Sequence, residues 1–182
     1  MDSTGAVIAA STVNEVTPTD AAGFVALVEP VLPAAYRLAA AMLRSSTDAE
    51  DAVQEAMFKA WRNFKKFRPG ADMKPWLLAI VANECRRQRR GRWSKVITST
   101  EDLKSGLPTH PEAEAQAADL RRALYRLPYD QRLVIVLRYY LDLPYEEVAA
   151  VLKTTTKAAK SRAYRALDRL RLSPEVLIDG SG

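Results

Sequence analysis

Over residues 21–93, and again over 112–172, apolar side chains return at steps of three and four, and strand-type alternation is absent. A chain patterned this way buries its apolar side as helices, because a strand buries every second residue. The expected fold is all-α. Val53, Met57, Ala60, Trp61 and Phe64 mark one face of a helix over about residues 49–64. Trp76, Leu77, Ile80 and Val81 mark another, starting near Pro75, a favoured first-turn residue, and running to about residue 90. An earlier helix over about 22–44 contains Pro30 and Pro33, which should kink or split it. Ser46, Thr47 or Asp48 is expected to cap the helix that follows.

The breaks in this pattern divide the chain. Residues 1–20 carry Ser, Thr, Ala and Val without a period and read as a flexible extension. Periodicity fades again over 94–111, where Ser, Thr, Gly and Pro gather, so this stretch reads as a linker. Residues 173–182 read as a tail. The expectation is two small helical domains, 21–93 and 112–172, joined by a flexible linker. A length of 182 residues allows two small units, and 48% apolar residues argue against wholesale disorder.

Several function classes are set aside early. Cys85 is the single cysteine and His110 the single histidine, so neither a disulfide nor the usual zinc site can be assembled. His110 stands between Pro108 and Pro111 in the linker, a poor place for a catalytic base. No enzyme, metal or cofactor is expected. No apolar run reaches bilayer length, and residues 6–10 are too short for a secretion signal, so the expected location is the cytoplasm, without membrane insertion.

The charge is +5 overall, but unevenly spread. Residues 143–152 suit a short helix, with Pro144 in its first turn and Glu146 and Glu147 at its positive end. Lys153, Thr154 and Thr155 make a turn. Residues 156–171 suit a second helix with Ala159, Ala163, Leu167 and Leu170 as its apolar stripe. From Lys153 to Arg171 there are seven basic residues against one acid, Asp168. This is a helix-turn-helix whose second member fits the major groove, where basic side chains reach phosphates and base edges.

The N-terminal half carries the opposite sign followed by the same one. Asp48, Asp51 and Glu55 line one side of a helix, beyond what the helix dipole alone asks for, and suggest an exposed docking face. Downstream, Arg86, Arg87, Arg89, Arg90, Arg92 and Lys95 stand with no acid among them. Phe64, Phe67, Trp76 and Trp93 lie near. Basic groups track a phosphate backbone and aromatics stack on unpaired bases. Phe64 and Trp76 read as core, Phe67 and Trp93 as exposed.

These residues resemble a known family. Asp48-Ala49-Glu50-Asp51-Ala52-Val53-Gln54-Glu55, Ala60-Trp61, Phe67-Arg68-Pro69-Gly70 and Pro75-Trp76-Leu77 are similar to the second conserved region of bacterial sigma-70 factors. Leu127-Pro128 through Arg138-Tyr139-Tyr140, then Leu143 to Ala149, and Lys160 to Leu167, are similar to the fourth. Two regions with a short linker resemble the extracytoplasmic-function (ECF) group. The resemblance implies a sigma factor that binds core RNA polymerase, recognises the −10 and −35 promoter elements and helps melt the DNA. It implies polymerase binding by Asp48, Glu50, Asp51, Gln54 and Glu55. It implies contacts to the single-stranded −10 element from Lys66, Phe67, Arg68, Lys74, Asn83, Arg86, Arg87 and Arg90. Capture of a flipped base there would couple recognition to melting. It implies contacts to the −35 duplex from Lys157, Lys160, Ser161, Arg162, Tyr164 and Arg165. An anti-sigma factor is a further implied partner.

The chain departs from the family pattern in two places. Lys153 stands where the family has Gly, at a turn that asks for positive φ. Lys157-Ala158-Ala159 replaces Gly-Thr-Val, removing a hydroxyl and adding a phosphate-reaching charge. Two rival readings accompany the sigma reading. A stand-alone helix-turn-helix regulator explains the C-terminal half but not the acidic helix and Arg cluster. A protein-binding adaptor explains the acidic face but needs no basic recognition helix.

Overall fold

The structure is a computed structural model that describes residues 21–93 and 111–171. The extension over 1–20, most of the linker with His110, the tail and the ring of Trp93 lie outside the described residues.

Helix α1 (Ala21–Val28) passes through a tight 3-10 turn (Glu29–Val31) into α2 (Leu32–Met42). Pro30 and Pro33 each occupy a first turn, where a missing N–H costs no helical bond, and the long helix splits there as expected. The combined stretch Ala21–Met42 is long and apolar enough, by composition, to cross a membrane, which the sequence reading did not anticipate. Here it buries Phe24, Val28, Ala35, Leu38 and Met42 in the protein core.

Helix α3 (Ser46–Asn63) begins three residues earlier than expected. Ser45 is the cap: its backbone is extended, and its hydroxyl accepts from the Asp48 N–H at 3.3 Å. Its buried stripe is Ala49, Ala52, Val53, Ala56 and Ala60. Small side chains let α3 lie close against α2 and α4, and they displace the larger ones. Trp61, expected on the buried face, is 44% exposed, as is Phe58 at 56%.

Helix α4 (Met73–Trp93) is the central strut. It packs on α2 and α3 and also on a helix of the other half. Leu77, Leu78, Val81, Ala82 and Cys85 are buried along it. So is Glu84, a carboxylate held by Lys59 at 2.6 Å and Arg87 at 2.7 Å.

The second unit contains α5 (Pro111–Arg126), α6 (Tyr129–Ile135), α7 (Tyr145–Leu152) and α8 (Thr156–Arg171). A π turn (Val136–Tyr140) extends α6. α8 packs on α6 and α7 through Ala159, Ala163, Ala166 and Leu170. Thr155 caps α8, its hydroxyl accepting from the Ala158 N–H at 3.2 Å. Lys153 takes the left-handed backbone expected of that turn, with φ 50° and ψ 50°. The Thr154 N–H reaching Ala149 O and the Lys153 N–H reaching Ala150 O close α7. The two units are not apart: their buried residues form one cluster, joined where α4 meets α7.

Candidate nucleic-acid interface

The acidic set lies on α3 as the spacing implied. Glu50, Asp51 and Gln54 are exposed, while Asp48 and Glu55 are half-buried. Glu55 pairs with Lys59 one turn on, at 3.5 Å. Phe58 follows on the same face, one and two turns after Gln54 and Asp51, with the Arg62 guanidinium 5.6 Å over its ring. Sequence reasoning passed over Phe58. Its signal was an aromatic off the buried stripe, at the spacing that continues the acidic face.

The −10 candidates divide. Lys66 and Arg68 are exposed on the connection between α3 and α4, which turns at Gly70 with φ 79°. Asp72 accepts from the Lys74 N–H at 2.9 Å and starts α4. Asn83, Arg87 and Arg90 are exposed at helical spacing on α4. Phe67 is not the free ring expected. It is 7% exposed, stacked on Phe64 at 6.1 Å and tilted on Trp76 at 5.1 Å. With Phe24 and Trp61 these rings form an aromatic cluster that folds the loop back onto the core, which is why the ring is not left open. Trp76 is half-buried.

Arg87 is shared between surfaces. It holds buried Glu84 and lines a cleft with Asp51, Gln54, Glu55 and Gln88. Burial pushes the Glu84 carboxyl up, but hydrogen bonds from Lys59 and Arg87 outweigh it and leave the group below the usual carboxylate range. Arg86 turns the other way, toward the second unit, where it pairs with Asp130 and lies 4.8 Å over the Tyr129 ring. Arg86, Arg89, Arg90, Pro128, Tyr129 and Asp130 line a cleft of about 380 Å³ between the units.

On α8, Lys157, Lys160, Ser161, Tyr164 and Arg165 are exposed, and Tyr164 is 65% so. Arg162 is half-buried and lies off this face. Lys160 is 5.6 Å over the ring of Tyr145, the first residue of α7, and Arg138 is 5.3 Å from the same ring. Tyr139 and Tyr140 stand exposed nearby. Burial, and then the neighbouring Tyr139 hydroxyl, push the Tyr145 phenol up to about 12, so it remains a neutral donor at physiological pH. Tyr145, at the start of the first helix of the helix-turn-helix, thus lies against two cations, Lys160 of α8 and Arg138 of the preceding π turn.

Three residues the sequence reading did not single out, Arg132, Tyr125 and Tyr129, matter most for the junction. Arg132 is 3% exposed, donates to Met42 O at 3.0 Å and lies 4.5 Å from the Tyr125 ring. Burial pulls its guanidinium down to about 10, which still leaves it charged at neutral pH. The Tyr125 hydroxyl donates to Leu43 O and the Tyr129 hydroxyl to Ala82 O, each at 2.6 Å. The available signal was a lone Arg132 abutting the apolar run Leu133 to Leu137.

Residues 27–95 match the family model for sigma-70 region 2, and residues 117–170 match the model for sigma-70 region 4. RNA polymerase sigma factor SigV of Bacillus subtilis is 31% identical over 141 residues, covering 75% of this chain and 82% of that protein. ECF RNA polymerase sigma factor EcfG of Rhodopseudomonas palustris is 30% identical over 152 residues, covering 82% and 83%. Among solved structures, sigma factor RpoE of Bartonella quintana, in complex with the anti-sigma factor NepR, aligns with a TM-score of 0.69. It is 29% identical and covers 84% of this chain and 95% of that one. CnrH, in complex with the cytosolic domain of CnrY, aligns with a TM-score of 0.65 at 26% identity, covering 90% and 92%. A stand-alone regulator leaves the region 2 match and the acidic helix unaccounted for. The chain belongs to the sigma-70 family, in its extracytoplasmic-function group, and is a sigma factor of transcription initiation.

Proposed function

We propose a division of labour among the surfaces just described. The α3 face of Glu50, Asp51, Gln54 and Glu55, with Phe58 as its apolar anchor and Asp48 at its start, docks on core RNA polymerase. Lys66, Arg68 and Lys74 on the loop, with Asn83, Arg86, Arg87 and Arg90 on α4, hold the melted −10 strand. Phe67 supports the loop from beneath. Lys157, Lys160, Ser161, Tyr164 and Arg165 read the −35 duplex, with Arg162 at the margin and Tyr145 beside Lys160 on a phosphate. One observation carries this reading: the exposed cations of α8 share a face opposite its buried Ala stripe, presented by a helix-turn-helix.

The chain supplies no bond-making step. The polymerase makes the phosphodiester, and the sigma factor contributes positioning and strand capture, in the cytoplasm where the template lies. RpoE of Bartonella quintana, solved in complex with the anti-sigma factor NepR, supports a protein inhibitor of this chain as well.

Run-off transcription with core polymerase on a promoter library tests the reading. Promoter-specific transcripts are expected only when the chain is added, and transcripts no different from core alone would refute it. A regulator would act only with a resident sigma factor present. Asp51→Arg with Glu55→Arg is expected to abolish polymerase binding while leaving duplex affinity intact; retained polymerase binding would remove α3 from the docking surface.

A further inference from the structure

We propose that the cleft between α4 and the start of α6 binds a small molecule through its diphosphate group. Arg86, Arg89 and Arg90 fall on one face of α4, at steps of three and four. With Pro128, Tyr129 and Asp130 they line a cleft of about 380 Å³. Small-molecule sites run from roughly 300 to 1,000 Å³, so this one holds more than a bare ion. The one carboxylate on its wall, Asp130, is paired with Arg86. Among the described residues no acid pairs with Arg89 or Arg90. The site goes beyond the promoter contacts assigned above: Arg89 has no part in them, while Arg86 and Arg90 are shared.

The charge around Tyr129 is unbalanced. Its ring lies 4.8 Å from the Arg86 guanidinium, 5.8 Å from that of Arg89 and 5.9 Å from that of Arg132. The ring attracts each cation but cancels none of their mutual repulsion. Arg132 registers that repulsion: burial first, and then the charge of Arg89, pull its guanidinium down. An anion in the cleft relieves the crowding. It is held more firmly than on an open surface, because Arg86 and Arg89 are already half out of water. Guanidinium forks match phosphate oxygens two at a time. Three forks against one acid suit a group with several negative charges on adjacent oxygens, a diphosphate, better than a single carboxylate. Pro128 and Tyr129 supply the opposite wall from the second unit, so the anion sits between two surfaces. A short, compact polyanion fits such a slot better than a continuous strand.

The test titrates sodium pyrophosphate into the full chain by calorimetry, at neutral pH and fixed ionic strength, with sulfate as the comparison. Pyrophosphate should bind at a single site, about tenfold or more tighter than sulfate. Arg89→Gln should weaken it about tenfold. Arg122→Gln, the same charge change on α5 and outside the cleft, should leave it within about twofold. Asp130→Asn removes the competing acid and frees the Arg86 fork, so pyrophosphate should bind about three- to tenfold tighter, a gain that misfolding cannot produce. Adenosine diphosphate in the same titration separates two sources of the group: affinity close to that of pyrophosphate assigns the site to nucleotides, and exclusion assigns it to the free ion. Equal affinity for pyrophosphate and sulfate, equal losses in Arg89→Gln and Arg122→Gln, or no gain in Asp130→Asn each overturns the proposal. Neither polymerase nor promoter enters the titration, so its failure leaves the promoter contacts to the transcription assay.

Discussion

Lys153 sits at φ 50° and ψ 50°, a conformation in which its Cβ is crowded and glycine is at ease. Lys153→Gly should therefore raise stability by about 0.5–1 kcal/mol, the relief of crowding partly offset by the freedom glycine loses on folding. The check is a higher urea midpoint with unchanged slope. Glu84 is the opposite case, a buried carboxylate whose two cations keep it ionised. Its folded value lies below its unfolded one, so its stabilisation is complete above the ordinary range, about 4.3, and is lost as pH falls through the folded value. Urea midpoints should be flat from about pH 7 to 5 and decline below. Glu84→Gln should lower stability at pH 7 by about 2–3 kcal/mol and shrink that decline; a decline of unchanged size would point to other carboxylates. Single residues were the least legible scale in the sequence. Ser45 and Ser46 are indistinguishable as caps until the backbone shows which one is extended, and Phe67 looked free because its partner rings flank it in the chain, Phe64 just past the end of α3 and Trp76 on α4.

Helices were legible because a 3.6-residue period survives any tertiary detail. The split at Pro30 and Pro33 and the helix-turn-helix of α7 and α8 follow the sequence pattern within a residue or two. Which side of a helix is buried was less secure where small and large apolar residues compete. On α3 the alanines won because close packing against two neighbours excludes an indole, leaving Trp61 half outside. The basic face of α8 was readable for the same reason its stripe was: period and charge agree. At this scale the expected behaviour is additive. Lys160→Ala and Arg165→Ala should each flatten the salt dependence of duplex binding by about one counterion, seen as a slope change of roughly 0.9 in log K against log salt. An unchanged slope in both would remove α8 from the phosphate backbone. Ser45→Ala should cost about 1 kcal/mol through the lost cap of α3, measurable by the same urea titration.

At the scale of the molecule, the sequence pointed to two units and a linker but not to the junction between them. Arg132 and Met42 are 90 positions apart, Tyr125 and Leu43 are 82 apart, and no local period connects either pair. The shared core nonetheless predicts that the two halves unfold together. Calorimetry of the full chain should show one transition, and Arg132→Ala should split it into two. Its loss leaves Met42 O without its side-chain donor and removes the one cation that lies against both the Tyr125 and the Tyr129 ring, weakening the coupling by about 2–3 kcal/mol. A single transition retained by Arg132→Ala would mean that apolar contact between α4 and α7 is enough.

Cys85 has a practical consequence. It is the single thiol of the chain, wholly buried on α4, and burial pushes it up to about 12, so almost no thiolate forms at neutral pH. Alkylating dyes and spin labels should pass it by. The native protein is therefore already a silent background for labelling, and one new cysteine on any exposed helix face would report the chain's movements without first replacing a core residue.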